Sequence, residues 1–295
     1  MTKPPLLTDR TAQIARRARA TREGLFLHED AAAEIEERLS EVNKTFTAPA
    51  IVTGFPDPWG KILPNAKIVR DDEVIDLDPQ AHDLVIHAFG LHCANDPVGQ
   101  LVQCRRALKP DGFFLGVAFG GQTLAELRAA LAEAEIATTG GLSPRVLPMG
   151  EIRDMGGLLQ RAGFALPVAD SALKTVLYRD AFHLMHDLRT MGETNVLTSR
   201  LRSFSRRSVF AEATRIYAEN FSQGDRVRAS FEMIYLGGWA PHESQQKPLK
   251  PGSAQMRLAD ALAAAQLDGP ASPAKSDKSQ PESGDEGQGN KGQDS

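Results

Sequence analysis

The stretch HDLVIHAFGLHCANDPVGQLVQCRRALKPDGFFLGVAFGG, residues 82–121, decides the fold. It begins with a β-rich apolar run and a loop, and a helical segment follows. Asp96 supplies a helix N-cap and Pro97 stands at the first helical position. Residues 110–112 then end the helix, and GFFLGVAFGG predicts the next strand. Two apolar strands joined by a helix predict a mostly parallel sheet that is covered on both faces.

The segments on either side extend this pattern into an α/β fold. Apolar residues recur at helical spacing over residues 29–46, and APAIVTGF and AKIVRDDEV are two short strand candidates before residue 82. Beyond residue 121 the chain is more helical and ends in two late strand candidates, LPVADSALKTVLY and RVRASFEMIYLGGWA. Two helical segments lie between these late strands. They predict a helical lid, at about residues 180–222, inserted at the sheet edge.

Composition excludes several function classes. The chain has 295 residues, 41% hydrophobic, and a formal net charge of −4, which argues against a general nucleic-acid binder. No apolar run reaches ~18 residues, so no transmembrane segment is expected. The two cysteines, Cys93 and Cys104, form neither a disulfide framework nor a CxxC metal motif, which fits a reducing cytoplasm.

The two ends of the chain differ from the middle. Residues 1–28 are basic, and we expect an arm or helix with a solvated basic face; a mitochondrial address is the alternative, against which Asp9 and Glu23 count. Residues 267–295 contain no aromatic or β-branched residue and are acidic, so we expect them to be disordered. One elaborated domain, residues 29–262, lies between these ends.

The run over residues 82–121 resembles the core of class I methyltransferases that depend on S-adenosylmethionine (SAM). That family has a DLV[IV] strand, a loop with [LV]H and a helix that ends in LKPGG or LKPDG. Residues 83–86, 91–92 and 108–112 match these motifs. The resemblance implies a Rossmann-like sheet with a cofactor site at the carboxyl ends of its strands.

Further stretches resemble a narrower group, the mitochondrial complex I assembly factors and their bacterial relatives. They are GGQTLAELR, LLQRAGFALPVAD, DLRTMGETN and GWAPHESQQKPLKPGSA, and matches run from about residue 16 to 262. This group is related to the malonyl carrier-protein methyltransferases of biotin synthesis. The resemblance implies methylation of a protein or carrier-protein substrate, or hydroxylation of an arginine of a complex I subunit, as in one branch.

The loop after the first strand departs from the family. The family's DxGCGxG is replaced by VTGFPDPWGK, which leaves Gly54 with prolines at positions 56 and 58. Proline lacks an N–H donor and fixes φ, so this loop is a poor cradle for the methionine part of SAM. Only 12 positions separate Gly54 from the strand at Ala66, whereas one βαβ unit takes ~30 residues. We therefore expect the family's first helix and second strand to be missing, with no residue for the ribose.

The remaining cofactor candidates follow the next two strands. The resemblance of IVRDDEVIDL to the family places Asp71 at the adenine, with Asp72 beside it; a polar strand end is the alternative. His87 and Phe89 lie where the family faces the sulfonium. His92 matches the family and is the candidate base or substrate-positioning residue, or else a loop histidine that packs on the next helix.

Two other features have open interpretations. His183 and His186, with Asp187, have a spacing that suits part of a two-His-one-carboxylate iron site or a solvated helix face, and we predict no metal. The HESQQKPLKPGSA run is a partner-binding surface or a strap that closes the sheet edge.

Three functions stay open at this point. The first is a SAM-dependent methyltransferase that acts on a protein or carrier protein, in respiratory complex I assembly. The second is a non-catalytic assembly protein with an eroded SAM site, and the third is a protein-arginine hydroxylase. A cytoplasmic protein, peripheral at the inner membrane, fits each of them.

Overall fold

The computed structural model describes residues 6–245. Its strands are β1 Pro49–Thr53, β2 Lys67–Val69, β3 His82–Ala88, β4 Leu108–Phe119, β5 Ala165–Tyr178, β6 Ser222–Gln223 and β7 Arg226–Trp239. Its α-helices are α1 Arg10–Arg17, α2 Phe26–Glu41, α3 Pro56–Trp59, α4 Pro97–Ala107, α5 Ala125–Thr139, α6 Ile152–Ala162, α7 Ala181–Thr190 and α8 Arg207–Phe221. Short 3₁₀ turns lie at Arg22–Leu25 and Leu91–Cys93.

The strands form one mixed sheet in the order β2-β1-β3-β4-β7-β5, and β6 pairs with β7. The first four strands along this order are parallel, and β7 runs antiparallel to both β4 and β5. The predicted α/β class is therefore confirmed. The side chain of Asp96 accepts a hydrogen bond from the backbone N–H of Gly99, as its predicted role as the cap of α4 requires.

Helices cover both faces of the sheet. One core cluster includes Leu27 of α2 and Leu127 of α5, and the other includes Leu101 of α4 and Leu159 of α6. Neighbouring residues of β1 are divided between them, since Ile51 belongs to the first cluster and Val52 to the second. This division follows from the alternation of side chains along a strand.

The connection after β1 is short, as predicted, but the predicted loss of the second strand is wrong, because β2 occupies the place beside β1. Only the four-residue α3 and a loop connect β1 to β2, and β2 pairs directly with β1 in the register Ile51↔Ile68. Within the described residues, β2 is thus the one strand beyond β1, and it forms this edge of the sheet. The two helices between β5 and β7, α7 and α8, occupy the place predicted for a lid.

The N-terminal arm differs from its prediction. Asp9 caps α1, and the arm is held by backbone pairing of Thr8 with Leu197 and by the bond of Thr8 to Asn95. The expected solvated basic face is wrong for Arg17, which is 8% exposed and points into the fold. Among residues 6–245, no helix is long and apolar enough to cross a membrane. The predicted acidic tail lies outside the described residues.

Candidate functional site

Asp71 lies just after β2, at the carboxyl end of the sheet, and two arginines of α1 bind it. Its carboxylate is 3% exposed. Oδ1 accepts a hydrogen bond from Nη2 of Arg10 at 2.9 Å, and Oδ2 accepts one from Nη1 of Arg17 at 2.6 Å. Arg10 also reaches Asp72 at 2.8 Å. Burial alone would raise the pKa of Asp71, but Arg17 and Arg10 outweigh it and hold the pKa below its ordinary value.

The side chain of Arg17 lies against the residues that follow β1 and β3. Its Nη2 donates to the carbonyl oxygen of Phe89 at 2.9 Å, and its guanidinium lies 5.0 Å from the ring centroid of Phe55. A Cβ atom on Gly54 would stand 2.3 Å from Nη1 of Arg17. Gly54 therefore makes room for the chain's own arginine, because any larger residue would collide with it.

These residues do not fit SAM in this arrangement. Because β2 neighbours β1, Asp71 follows the strand whose terminal acid binds the ribose in dinucleotide-binding folds, and not a third strand, which the predicted adenine contact requires. Both of its oxygens already accept from arginines, and Arg17 covers the glycine that a cofactor would approach. The predicted contacts of Gly54, Asp71 and Asp72 with SAM remain predictions, and the structure gives these residues other partners.

His87 and Phe89 belong to the interior. Nε2 of His87 lies 3.0 Å from Oε1 of Gln100, and burial lowers the pKa of His87 to about 4, which keeps the ring neutral near pH 7. The Phe89 ring packs at 4.3 Å from His28 and at 4.6 Å from Phe119, between centroids. Phe89 has φ of 47°, in the left-handed region that non-glycine residues rarely adopt, and its carbonyl is the one that Arg17 binds.

His92 faces a carboxylate that sequence reasoning missed. Its Nε2 lies 3.7 Å from Oε2 of Glu193, and Arg17 lies 3.6 Å from Oε1 of the same group. Burial alone would lower the pKa of His92, but Cys93 and Glu193 outweigh it and raise the pKa to about 10. Burial would raise the pKa of Glu193, yet His92 and Arg17 lower it to about 2. Four charged groups therefore form one series of alternating sign at the carboxyl end of the sheet: Asp71, Arg17, Glu193 and His92.

Curated relatives match this sequence over 60–74% of the chain. The mitochondrial arginine hydroxylase NDUFAF5 of Dictyostelium discoideum is 41% identical over 204 residues, which are 68% of this chain and 47% of that protein. The protein of the same name from Homo sapiens is 37% identical and covers 74% of this chain and 64% of its own length. A malonyl-[acyl-carrier protein] O-methyltransferase from Xylella fastidiosa is 32% identical over 60% of this chain and 58% of that protein.

By sequence, the chain is similar to both of these kinds of enzyme. No protein-family model matches it. Among solved structures, a methyltransferase-like protein from Bacillus halodurans aligns over 71% of this chain and 98% of its own, with a TM-score of 0.44 and 14% identity. The chain spans about half to two thirds of the length of the curated relatives it matches.

The family-like stretch around Glu193 also borders a cavity of about 360 Å³. Its walls are largely apolar and come from α5, α7, α8 and the loop at residues 145–149. His92 and Glu193 lie at its buried end, while Arg16 and Arg189 line it nearer the solvent. Thus the residue predicted as a base lines a cavity, although Arg17 separates it from Asp71.

The described part of the C-terminal motif folds back on the sheet. The backbone N–H of Ala240 donates to the carbonyl oxygen of Gly112 at 2.8 Å, and Nε2 of Gln245 donates to Oδ1 of Asp111 at 3.0 Å. These bonds favour a strap over a free surface segment as far as residue 245. The rest of the motif, from residue 246 onwards, lies outside the described residues.

The residues with metal-like spacing on α7 face solvent. His183 and His186 are exposed, and Asp187 accepts a hydrogen bond from the hydroxyl of Tyr178 at 2.8 Å. Within residues 6–245 there is no group of three or more His, Cys, Asp or Glu side chains placed to hold a metal ion.

Proposed function

We propose that this chain is a SAM-independent member of the class I methyltransferase superfamily. It assists the assembly of respiratory complex I by binding a protein partner. The observation that carries this proposal is the position of Arg17, whose guanidinium fills the cleft above Gly54 and pairs with Asp71. Asp71, the acid that would bind the ribose of a nucleoside, instead holds α1 through Arg10 and Arg17.

The energetics support a cleft without cofactor. SAM could enter only after Arg17 leaves Asp71 and Glu193, and separating a buried ion pair costs about 3–5 kcal/mol. A ligand that needs such a minor state binds more weakly by the same free energy, about two to three orders of magnitude in dissociation constant. Affinity for SAM would fall from the micromolar range to the millimolar range or weaker.

The kind of partner follows from the relatives. Those with the highest identity reported above are mitochondrial arginine hydroxylases, and the resemblance to complex I assembly factors extends to the 239–254 motif. We therefore propose a complex I subunit as partner. We place the protein in the cytoplasm, peripheral to the inner membrane where complex I resides.

Deletion of the gene in its own host tests this role. We expect membranes of the deletion strain to lose NADH:quinone reductase activity and to regain it when the chain is expressed again. An affinity-tagged chain should retain a complex I subunit after cross-linking, and a tagged Arg215→Ala variant, altered on an exposed face of α8, should behave alike. Normal complex I activity in the deletion strain would contradict the proposal.

Mass spectrometry of the captured subunit separates the three functions. If the chain only binds the subunit, the subunit carries the same modifications whether or not the chain is present. A methyl group that appears only when the chain is present would contradict the proposal in favour of the methyltransferase. Hydroxylation of an arginine that depends on the chain would contradict it in favour of the hydroxylase.

A further inference from the structure

The cavity of about 360 Å³ beside His92 is lined largely by apolar side chains. Its apolar lining includes Leu127 and Leu131 of α5, Met185 of α7, Phe210 of α8 and Phe231 of β7. Leu127 and Leu131 are one helical turn apart and continue the same wall. A wall of leucine, methionine and phenylalanine favours an apolar chain as its ligand.

The lining also carries positive charge that no carboxylate of residues 6–245 neutralises by direct contact. Nη1 of Arg16 donates to Oγ1 of Thr194 at 2.9 Å, while its Nε is buried and has no hydrogen-bond partner among the described residues. Burial, together with the charges of Arg200, Arg19 and Arg189, lowers the pKa of Arg16. In residues 6–245, no carboxylate lies within 4.0 Å of a side-chain nitrogen of Arg16 or Arg189, so this end of the cavity is complementary to an anion.

The remaining charged groups of the cavity balance one another. His92 pairs with Glu193, and Arg145 pairs with Glu135 at 2.7 Å. Arg16 and Arg145 also line an adjoining cavity of about 450 Å³, where Arg200 and Arg202 share the carboxylate of Asp9. The surplus charge is therefore concentrated at Arg16 and Arg189, at the more exposed end.

We propose that this cavity binds one apolar chain of an amphiphile with an anionic headgroup, a carboxylate or a phosphate. The headgroup accepts hydrogen bonds from Arg16 and Arg189, and the chain lies along the wall of α5 towards Phe231. The proposal goes beyond the role in complex I assembly and does not depend on it.

Titration of the chain with three twelve-carbon probes tests the headgroup. We expect dodecanoate and dodecyl phosphate to bind with dissociation constants of about 1–100 μM and dodecanol to bind at least about tenfold more weakly, since it lacks the charge. Absence of dodecanoate binding at about 1 mM would overturn the proposal. Equal binding of dodecanol and dodecanoate would overturn the anionic headgroup.

Two variants test the residues. The double variant Arg16→Met with Arg189→Met should weaken dodecanoate binding at least about tenfold, while Arg179→Met, which removes an exposed arginine paired with Asp180, should leave it unchanged. Unchanged affinity in the double variant would overturn the assignment.

Leu127→Trp tests the apolar wall, because it narrows the cavity without altering its charge. It should weaken the binding of dodecanoate and of dodecyl phosphate alike. Unchanged binding of both would overturn the apolar wall as the site of the alkyl chain.

Vesicles distinguish the source of the amphiphile. If phosphatidylglycerol vesicles displace dodecanoate from the chain and neutral phosphatidylcholine vesicles do not, the ligand is an acidic membrane lipid. If neither displaces it, the ligand is a free fatty acid or alkyl phosphate. Both results support the shared chemistry. Equal displacement by the two kinds of vesicle would overturn the anionic selectivity.

Discussion

Replacement of Arg17 with methionine is expected to lower the free energy of unfolding by about 3–5 kcal/mol. Methionine preserves most of the apolar stem but leaves Asp71, at 3% exposure, with Arg10 as its remaining cation, and removes a cation from Glu193. Urea denaturation followed by circular dichroism measures the change. Arg19→Met is the matched control on the same arm, and it should change stability by less than about 0.5 kcal/mol because that residue is exposed.

A double-variant cycle shows whether the loss comes from the ion pair. Arg17→Met combined with Asp71→Asn should recover part of the stability that Arg17→Met alone loses, since no uncompensated carboxylate is then buried. Additive losses in the double variant, or an effect of Arg17→Met as small as that of Arg19→Met, would show that the pair does not hold the arm in the cleft.

The second large effect is a decrease in the free energy of unfolding in alkaline solution, caused by loss of the proton on His92. Its pKa is raised from 6.5 to about 10 in the folded chain, so the contribution of the protonated ring is fully present below pH 6.5. That contribution decreases as pH rises from 6.5 towards 10, because the folded state keeps a proton that the unfolded state has lost, and rising pH favours its release on unfolding. Between pH 7 and pH 10 we expect the free energy of unfolding to fall by more than about 1.4 kcal/mol, the equivalent of one pKa unit.

Two comparisons isolate His92 from other groups that titrate. His92→Phe should remove this alkaline decrease, because no proton is then bound at that position. His28 and His87 have lowered pKa values, about 3 and about 4, through burial, so their contribution has the opposite sign and decreases below pH 6.5. An alkaline decrease that is equal in wild type and His92→Phe would contradict the pairing of His92 with Glu193.

The sheet and its helices could be predicted because their determinants are local. The Asp96 cap, the proline after it and the apolar runs of β3 and β4 are each visible within a few residues of sequence. The short connection after Gly54 also indicated by its length that a full crossover helix is missing, although it did not show that β2 pairs with β1. These features require no knowledge of distant partners.

The charge network could not be predicted because its members are far apart in sequence. Arg17 and Asp71 are 54 positions apart, and no local pattern connects them. An arginine-rich helix indicates a solvated face unless its partner is known, which is why Arg10 and Arg17 were missed. Glu193 lay within a family-like stretch, and that resemblance was the one sign that it lines a cavity.

The role of Gly54 shows the same limit. From sequence it is the remnant of a cofactor loop, whereas the structure shows a glycine that admits the guanidinium of Arg17. Both SAM and the guanidinium of Arg17 would need a residue without a side chain at position 54. The two interpretations therefore differ only in which of these groups occupies the cleft.

Calorimetric titration of the wild-type chain with SAM identifies that occupant most directly. We expect no binding heat up to about 1 mM SAM, because displacement of Arg17 from Asp71 weakens binding by about two to three orders of magnitude. One-to-one binding with a dissociation constant of about 10 μM or below would contradict a cleft filled by Arg17.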